Sequence, residues 1–276
     1  MTLSGFVANG IAEALNAAAE ERFLETGHPK DLTLFWVAGT GNKDGSHADH
    51  YAHEGMVKKV IGGHFNFVPK ICEMLSENKI EGYNVPQGAI AQMLRDNAAR
   101  KVGTISHVGI GTFADPRNGG GRLSEKTKED IVKIIELEGQ EQLFYPRIPL
   151  DVAFIRGTYA DELGNITLEK EMAPLDATSQ AMAVHNNGGL VVVQVERVVK
   201  AGHLDPKLVK IPGIYVDAVV ECPADDPKQS QSINCTYDPA YAGNTQVPVS
   251  SLEPKKLDAK KIIGRRAAME LRKRCC

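Results

Sequence analysis

One primary amide stands where it could act on a substrate. Gln87 follows Pro86 in the string Tyr83-Asn84-Val85-Pro86-Gln87-Gly88 and opens a helical pattern that runs to Arg100. The proline restrains the backbone just ahead, so the amide is presented from a helix start. A donor there could hold an acyl oxygen as it gains negative charge; a helix cap or a core hydrogen bond is the structural alternative. A strand expected over Thr104–His107 then empties into Gly109-Ile110-Gly111-Thr112-Phe113-Ala114-Asp115-Pro116-Arg117-Asn118-Gly119-Gly120-Gly121-Arg122. A loop this long, carrying Asp115, Arg117 and Arg122 among glycines, reads as a lid or recognition loop for a phosphate-bearing ligand. The plainer alternative is a mobile loop with internal ion pairs. Open α/β sheets bind ligands beyond the carboxyl ends of their strands, and both pieces are expected there.

Other chemistry-bearing residues point less sharply. Gly5-Phe6-Val7-Ala8-Asn9-Gly10 has neither the three-glycine dinucleotide spacing nor the Lys-Ser or Lys-Thr of a P-loop. It reads as a strand-to-helix turn whose backbone N–H groups could face an oxygen or phosphate. His47, His50, His53 and His64 raise a metal hypothesis, but spacings of three and eleven with no glutamate motif do not make a zinc set. No metal is expected. His185 is expected to end a helix.

The elements that must position these residues alternate. A helix spans Ile11–Phe23 and stops at Gly27 with Pro29 beyond, and the apolar run Asp31–Gly39 reads as a buried parallel strand. The polar loop to His50 leads to a short helix near Gly55–Lys59 and a brief strand at Val60–Gly62. Then come a helix over Val68–Glu77, a strand at Lys79–Tyr83, and the Gln87–Arg100 helix. Such alternation signals a layered α/β fold. Ile131–Leu137, Glu141–Tyr145 and Val152–Thr158 alternate at period two, which predicts antiparallel or mixed strands. Gly164-Asn165 closes a hairpin on to Ile166–Leu168. A helix over Leu175–His185 precedes strands at Gly189–Val195 and Ile214–Val220. Residues 223–254 read as an exposed excursion, and Asp258–Lys273 as a helix with a basic end.

Composition removes whole classes. A net charge of −3, with Lys and Arg scattered, disfavours nucleic-acid binding. No apolar run approaches the ~20 residues needed to span a bilayer, and the start has no signal-peptide pattern. Cys72, Cys222, Cys235, Cys275 and Cys276 are odd in number and lack CxxC spacing, so a reducing cytoplasmic compartment fits.

Longer strings carry a family likeness. Ala52-His53-Glu54-Gly55-Met56-Val57-Lys58-Lys59, Gly62-Gly63-His64, Tyr83–Gly88 and Ile105–Arg117 appear in order, followed by Leu175-Asp176-Ala177, Ala183–Gly189 and Lys210-Ile211-Pro212-Gly213. Over nearly its whole length the chain resembles family I coenzyme A transferases of the single-chain acetate or propionate type. The resemblance implies a mixed layered α/β fold forming one half of the full enzyme, with residues 1–256 as its first domain and 257–276 leading to a second half. It implies transfer of coenzyme A between a short-chain acyl-CoA and a carboxylate through a glutamyl thioester, with no tightly bound cofactor. It gives Gln87 the oxyanion role, and Gly109, Gly111, Thr112, Asp115, Arg117, Gly119 and Gly120 substrate contacts.

Two departures matter. Ala8 and Ala12 stand where the family favours glycine and proline. The family's nucleophilic glutamate lies beyond a helix like Ile262–Leu271, in a half with no counterpart here. The expected partner is therefore that second half, as a separate chain or a missing domain, and the chain alone is expected to be inactive. Association into an oligomer is also expected. The alternatives are a non-catalytic acyl-CoA-binding or assembly module, and a dinucleotide-dependent oxidoreductase, which would need the glycine fingerprint this chain lacks.

Overall fold

The run Leu34-Phe35-Trp36-Val37 divides its side chains between two cores. Leu34 and Trp36 enter one cluster with Val60, Ile71 and Leu75, while Phe35 and Val37 enter another with Ile61, Ile90 and Val193. Side chains alternate across a strand, so a run apolar on both faces must lie inside a covered sheet. The computed structural model, which describes residues 1–271, shows that sheet.

In chain order the first part contains β1 (Thr2–Leu3), α1 (Glu13–Thr26), β2 (Leu32–Trp36), β3 (Val57–Gly62), α2 (Pro69–Ser76), β4 (Glu81–Asn84) and α3 (Gln87–Ala98). The middle contains β5 (Gly103–Ser106), β6 (Lys133–Leu137), β7 (Gln140–Pro146), β8 (Val152–Arg156), β9 (Tyr159–Asp161), β10 (Ile166–Thr167) and α4 (Ala177–Asn186). The last part contains β11 (Leu190–Val195), β12 (Arg197–Val199), β13 (Val209–Ile211), β14 (Ala218–Glu221) and α5 (Ala259–Ala268). Seven strands form the central sheet in the order β14-β11-β8-β1-β2-β3-β4, all parallel. Two smaller sheets flank it, β12-β9-β10-β13 and the antiparallel β5-β7-β6. The mixed layered α/β architecture expected from the sequence is the one found.

Helices α3 and α4 pack side by side through polar locks. Asn187 donates to Asn97 Oδ1 at 2.9 Å, and Asn186 donates to the Ala98 carbonyl at 2.6 Å. Helix α1 ends at Gly27, whose φ of 71° supplies the left-handed stop that sequence pattern placed there. Among the described residues no helix is long and apolar enough to cross a membrane.

Several local expectations are corrected. Val152–Thr158 is not antiparallel: β8 pairs parallel with both β1 and β11. Arg156 and Thr158 are buried, and Arg156 is ion-paired with Glu171. The helix expected near Gly55–Lys59 is strand β3 from Val57 onward, where Lys59 pairs across to Glu81 at 2.9 Å. The nearby helical turn is instead a 3-10 segment at His47–Tyr51. Ile214–Val220 splits into a 3-10 turn at Gly213–Tyr215, started by the Tyr215 N–H on the Pro212 carbonyl, and strand β14. Helix α5 covers the first part of the Asp258–Lys273 expectation, capped by Asp258 on the Lys261 N–H. The basic end at Lys273 and the Cys275-Cys276 pair lie outside the described residues.

Candidate functional site

Four strand ends and their following turns meet at the carboxyl edge of the central sheet. After β1 the Gly5–Gly10 turn lies against β2's extension, with Val7 bridged to Thr40 and the Gly41 N–H on the Val7 carbonyl. After β3, Gly63 lies so close to its neighbours that a Cβ there would sit 2.2 Å from the Val37 carbonyl and 3.1 Å from Gln87 Cβ. No side chain fits, and the bare backbone lets the start of α3 settle beside β3. After β4 the chain turns through Pro86 into α3, whose N-terminus carries no side-chain cap. Gln87 and Gly88 are exposed there, and the Gln87 amide makes no hydrogen bond among the described residues. An uncapped helix start offers open N–H groups and a positive dipole end, and Gln87 adds two more donors. This arrangement can hold an oxygen that becomes negative.

The long loop reaches the same place by an unexpected route. It leaves β5, which belongs to the antiparallel sheet rather than the central one. Its return leg then docks on β4: Asn84 N–H donates to Gly121 O at 2.7 Å, Leu123 N–H donates to Gly82 O at 2.9 Å, and Tyr83 bridges Arg122. Strand β4 is the edge of the parallel sheet, and its unpaired backbone groups take the loop as their partner. Gly121 has φ +72°, and a Cβ there would lie 2.3 Å from the Asn84 carbonyl. Gly121→Ala should therefore cost about 1–3 kcal/mol. The urea midpoint should fall, and trypsin should cut faster after Arg117 and Arg122; an unchanged midpoint and cleavage rate would contradict this docking.

Inside the loop the two charged candidates face each other. Asp115 is buried and accepts from the N–H groups of Gly111 (2.9 Å) and Arg117 (3.0 Å) and from the Arg117 guanidinium at Nε (3.0 Å) and Nη2 (2.8 Å). The guanidinium, with the Gly111 N–H, holds the Asp115 carboxyl well below the usual carboxylate range. Arg117 continues to Glu141 on β7 at 3.2 Å. Thr112 donates to the Gly109 carbonyl at 2.8 Å, and Tyr145 donates to Val108 O at 2.6 Å. Gly109 and Gly120 are buried, Gly119 is half-buried, and Gly111, Thr112 and Phe113 form the exposed crest. Asp-Pro-Arg forms an Asx-type turn, a local signal that Asp115 organises the loop.

The histidines have partners that spacing did not reveal. Glu13 and Glu20 on α1 meet His47, His50 and His53 in a hydrogen-bonded ladder. Among the described residues no group of three or more His, Cys, Asp or Glu side chains is arranged to hold a metal ion. A cavity of about 350 Å³ opens beside this ladder, lined by Ala8, Ile11, Glu13, Asn42, His47 and Lys228. His64 packs on Phe67 instead, with ring centroids 5.3 Å apart, and His185 lies in the last turn of α4 against Tyr215.

The sequence profile described as Coenzyme A transferase matches residues 1–222. The chain belongs to the coenzyme A transferase family. The chain is 42% identical over 267 residues to acetate CoA-transferase YdiF of Escherichia coli, covering 96% of itself and 50% of that protein. It is 40% identical over 271 residues to caffeate CoA-transferase of Acetobacterium woodii, covering 98% and 52%. A solved thioester complex of Escherichia coli acyl-CoA transferase (YdiF) with CoA aligns at a TM-score of 0.89 and 40% identity, over 98% of this chain and 54% of that one. A probable coenzyme A transferase subunit alpha of Bacillus subtilis is 30% identical over 167 residues, 59% of this chain and 64% of that subunit. The chain thus spans about half the length of the first two relatives, and it aligns with a protein described as an alpha subunit.

Proposed function

We propose that this chain is the half of a coenzyme A transferase that supplies the oxyanion donors, while a second half supplies the nucleophile. The observation that carries this is the exposed, unpartnered Gln87 amide at an uncapped helix start on the carboxyl edge of the sheet. A carboxylate nucleophile attacks the thioester carbonyl of a short-chain acyl-CoA and breaks its C–S bond, giving an acyl-glutamyl anhydride and the coenzyme A thiolate; the thiolate attacks the glutamyl carbonyl and expels the short carboxylate. In the first addition the carbonyl oxygen gains charge. Gln87 and the first N–H groups of α3 meet that charge, and coenzyme A passes to a carboxylate acceptor through a glutamyl-CoA thioester.

The chain's own buried carboxylates are committed elsewhere. Among the described residues Glu171 pairs with Arg156, Asp115 with Arg117, Asp96 with Lys101 and Thr104, Asp49 with the start of α2, and Asp161 with Asn165 and the Leu163 N–H. The exposed crest at Gly111 and Thr112 faces the acyl-CoA, with buried Gly109 and Gly120, half-buried Gly119 and the Asp115–Arg117 pair holding its shape. Free thiols at Cys72, Cys222 and Cys235 accord with work in the cytoplasm.

The test is covalent. This chain, mixed with the second half of the Escherichia coli relative expressed as a separate polypeptide, is incubated with acetyl-CoA and read by intact mass. A coenzyme A adduct on the second half and none on this chain is expected. An adduct mapped to a glutamate of this chain would overturn the assignment.

A further inference from the structure

Three histidines and two glutamates tie the 3-10 segment His47–Tyr51 and its continuation to α1. Glu13 and Glu20 stand two turns apart on one face of the helix. His47 Nδ1 lies 2.7 Å from Glu13 Oε2, and His50 Nε2 lies 2.8 Å from Glu13 Oε1. The other ring nitrogen of His50 contacts Glu20 Oε2, and His53 Nε2 lies 2.6 Å from Glu20 Oε1. Both nitrogens of His50 therefore face carboxylate oxygens, which when ionised only accept hydrogen bonds. A neutral imidazole has one N–H and one lone pair, so one contact would set a lone pair against an anion. Only the imidazolium satisfies both. His47 and His53 use one nitrogen each and need no charge.

The surrounding charges agree with this. On the histidine segment, Asp49 turns to α2 and accepts from the N–H groups of Lys70 (3.3 Å) and Ile71 (3.1 Å), with the Lys70 charge nearby. Asp44, on the preceding loop, lies within the field of His47. From α1, Asn16 accepts from the Tyr51 hydroxyl at 3.0 Å and carries no charge. Burial works against charge on His50, but the hydrogen bonds with Glu13 and Glu20 outweigh it and raise its pKa. Burial likewise opposes ionisation of Glu13, yet His47 and His50 bring it down to about 2, and Glu20 is also lowered.

We infer that this ladder is a proton-operated latch: as an imidazolium His50 ties residues 47–53 to α1, and loss of its proton releases them. The released segment carries His47, a wall of the cavity beside the Gly5–Gly10 turn, and Asp49, which holds the start of α2. Because the closed-state pKa of His50 is raised, its contribution is complete below the ordinary value of 6.5 and is lost as pH rises through the raised value. Glu13, lowered to about 2, keeps its contribution above 4.5 and loses it as pH falls toward 2, and Glu20 is lowered in the same direction. The latch is tightest below the ordinary imidazole value of 6.5 and loosens as pH rises above it.

Two measurements on the whole chain test this. In proton–nitrogen spectra of the histidine rings, His50 should carry a proton on both nitrogens at pH 6 and titrate above its ordinary value of 6.5. Hydrogen exchange of residues 47–53, corrected for its intrinsic pH dependence, should show an opening constant that rises toward tenfold per pH unit above pH ~6.5 and then levels off. In His50→Gln that rise should vanish, and in Glu20→Gln the His50 titration should move down. A His50 neutral at pH 6 in the unaltered protein, or an opening constant independent of pH, overturns the latch whether or not the variants fold.

Discussion

Gln87→Ala should lower coenzyme A exchange by the two-half enzyme about 10²-fold, the loss seen when one oxyanion donor is removed. The effect belongs in kcat and kcat/KM together, with KM nearly unchanged, because the amide meets a charge that exists only in the transition state. The side chain is exposed and makes no internal hydrogen bond among the described residues, so folding should not suffer. Alanine keeps the Cβ that packs beside Gly63 and keeps the helix start. Steady-state kinetics over a range of acetyl-CoA, with Tm as the folding control, decides the matter. A raised KM with full kcat would mean that Gln87 only helps to bind the ground state.

The largest expected loss of stability comes from one buried pair. Arg156 at the end of β8 and Glu171 are both almost fully buried, with Nε and Oε1 3.0 Å apart. Burial pushes the Glu171 carboxyl up, and the nearby Arg156 charge opposes that shift. Arg156 also donates to the Ser230 carbonyl, which anchors the 227–234 segment over the sheet. Glu171→Ala leaves the guanidinium buried without its anion and should cost about 3–5 kcal/mol. In a domain of this size that lowers Tm by roughly 10 °C. The double replacement Arg156→Met with Glu171→Leu should recover most of the loss, because two apolar side chains leave no charge stranded. A single-variant loss under about 1 kcal/mol would show that water reaches the pair.

Much of the scaffold was legible from local pattern. The doubly apolar run of β2, the Gly27 stop and the Pro86-Gln87 helix start each follow from physics within a few residues, and the structure has all three. What failed did so because the deciding partner is distant in sequence. Thr104–His107 looks like any short strand, and only β7, some forty residues on, puts β5 in a separate antiparallel sheet. Val152–Thr158 alternates at period two, and the parallel partners β1 and β11 that decide its pairing are distant in sequence. The histidine spacing pointed to no ligand, and the true partners Glu13 and Glu20 lie some thirty residues upstream. Asp115 was different: its Asx turn with Arg117 is local, and the Asp-Pro-Arg string could have shown that the carboxylate faces the loop.

Coenzyme A exchange between acetyl-CoA and labelled propionate tests the central claim most directly. The purified chain alone should give none, and adding the separately expressed second half of the Escherichia coli relative should restore exchange that depends on Gln87. Turnover by this chain alone would contradict the claim, because the nucleophile would then lie within it.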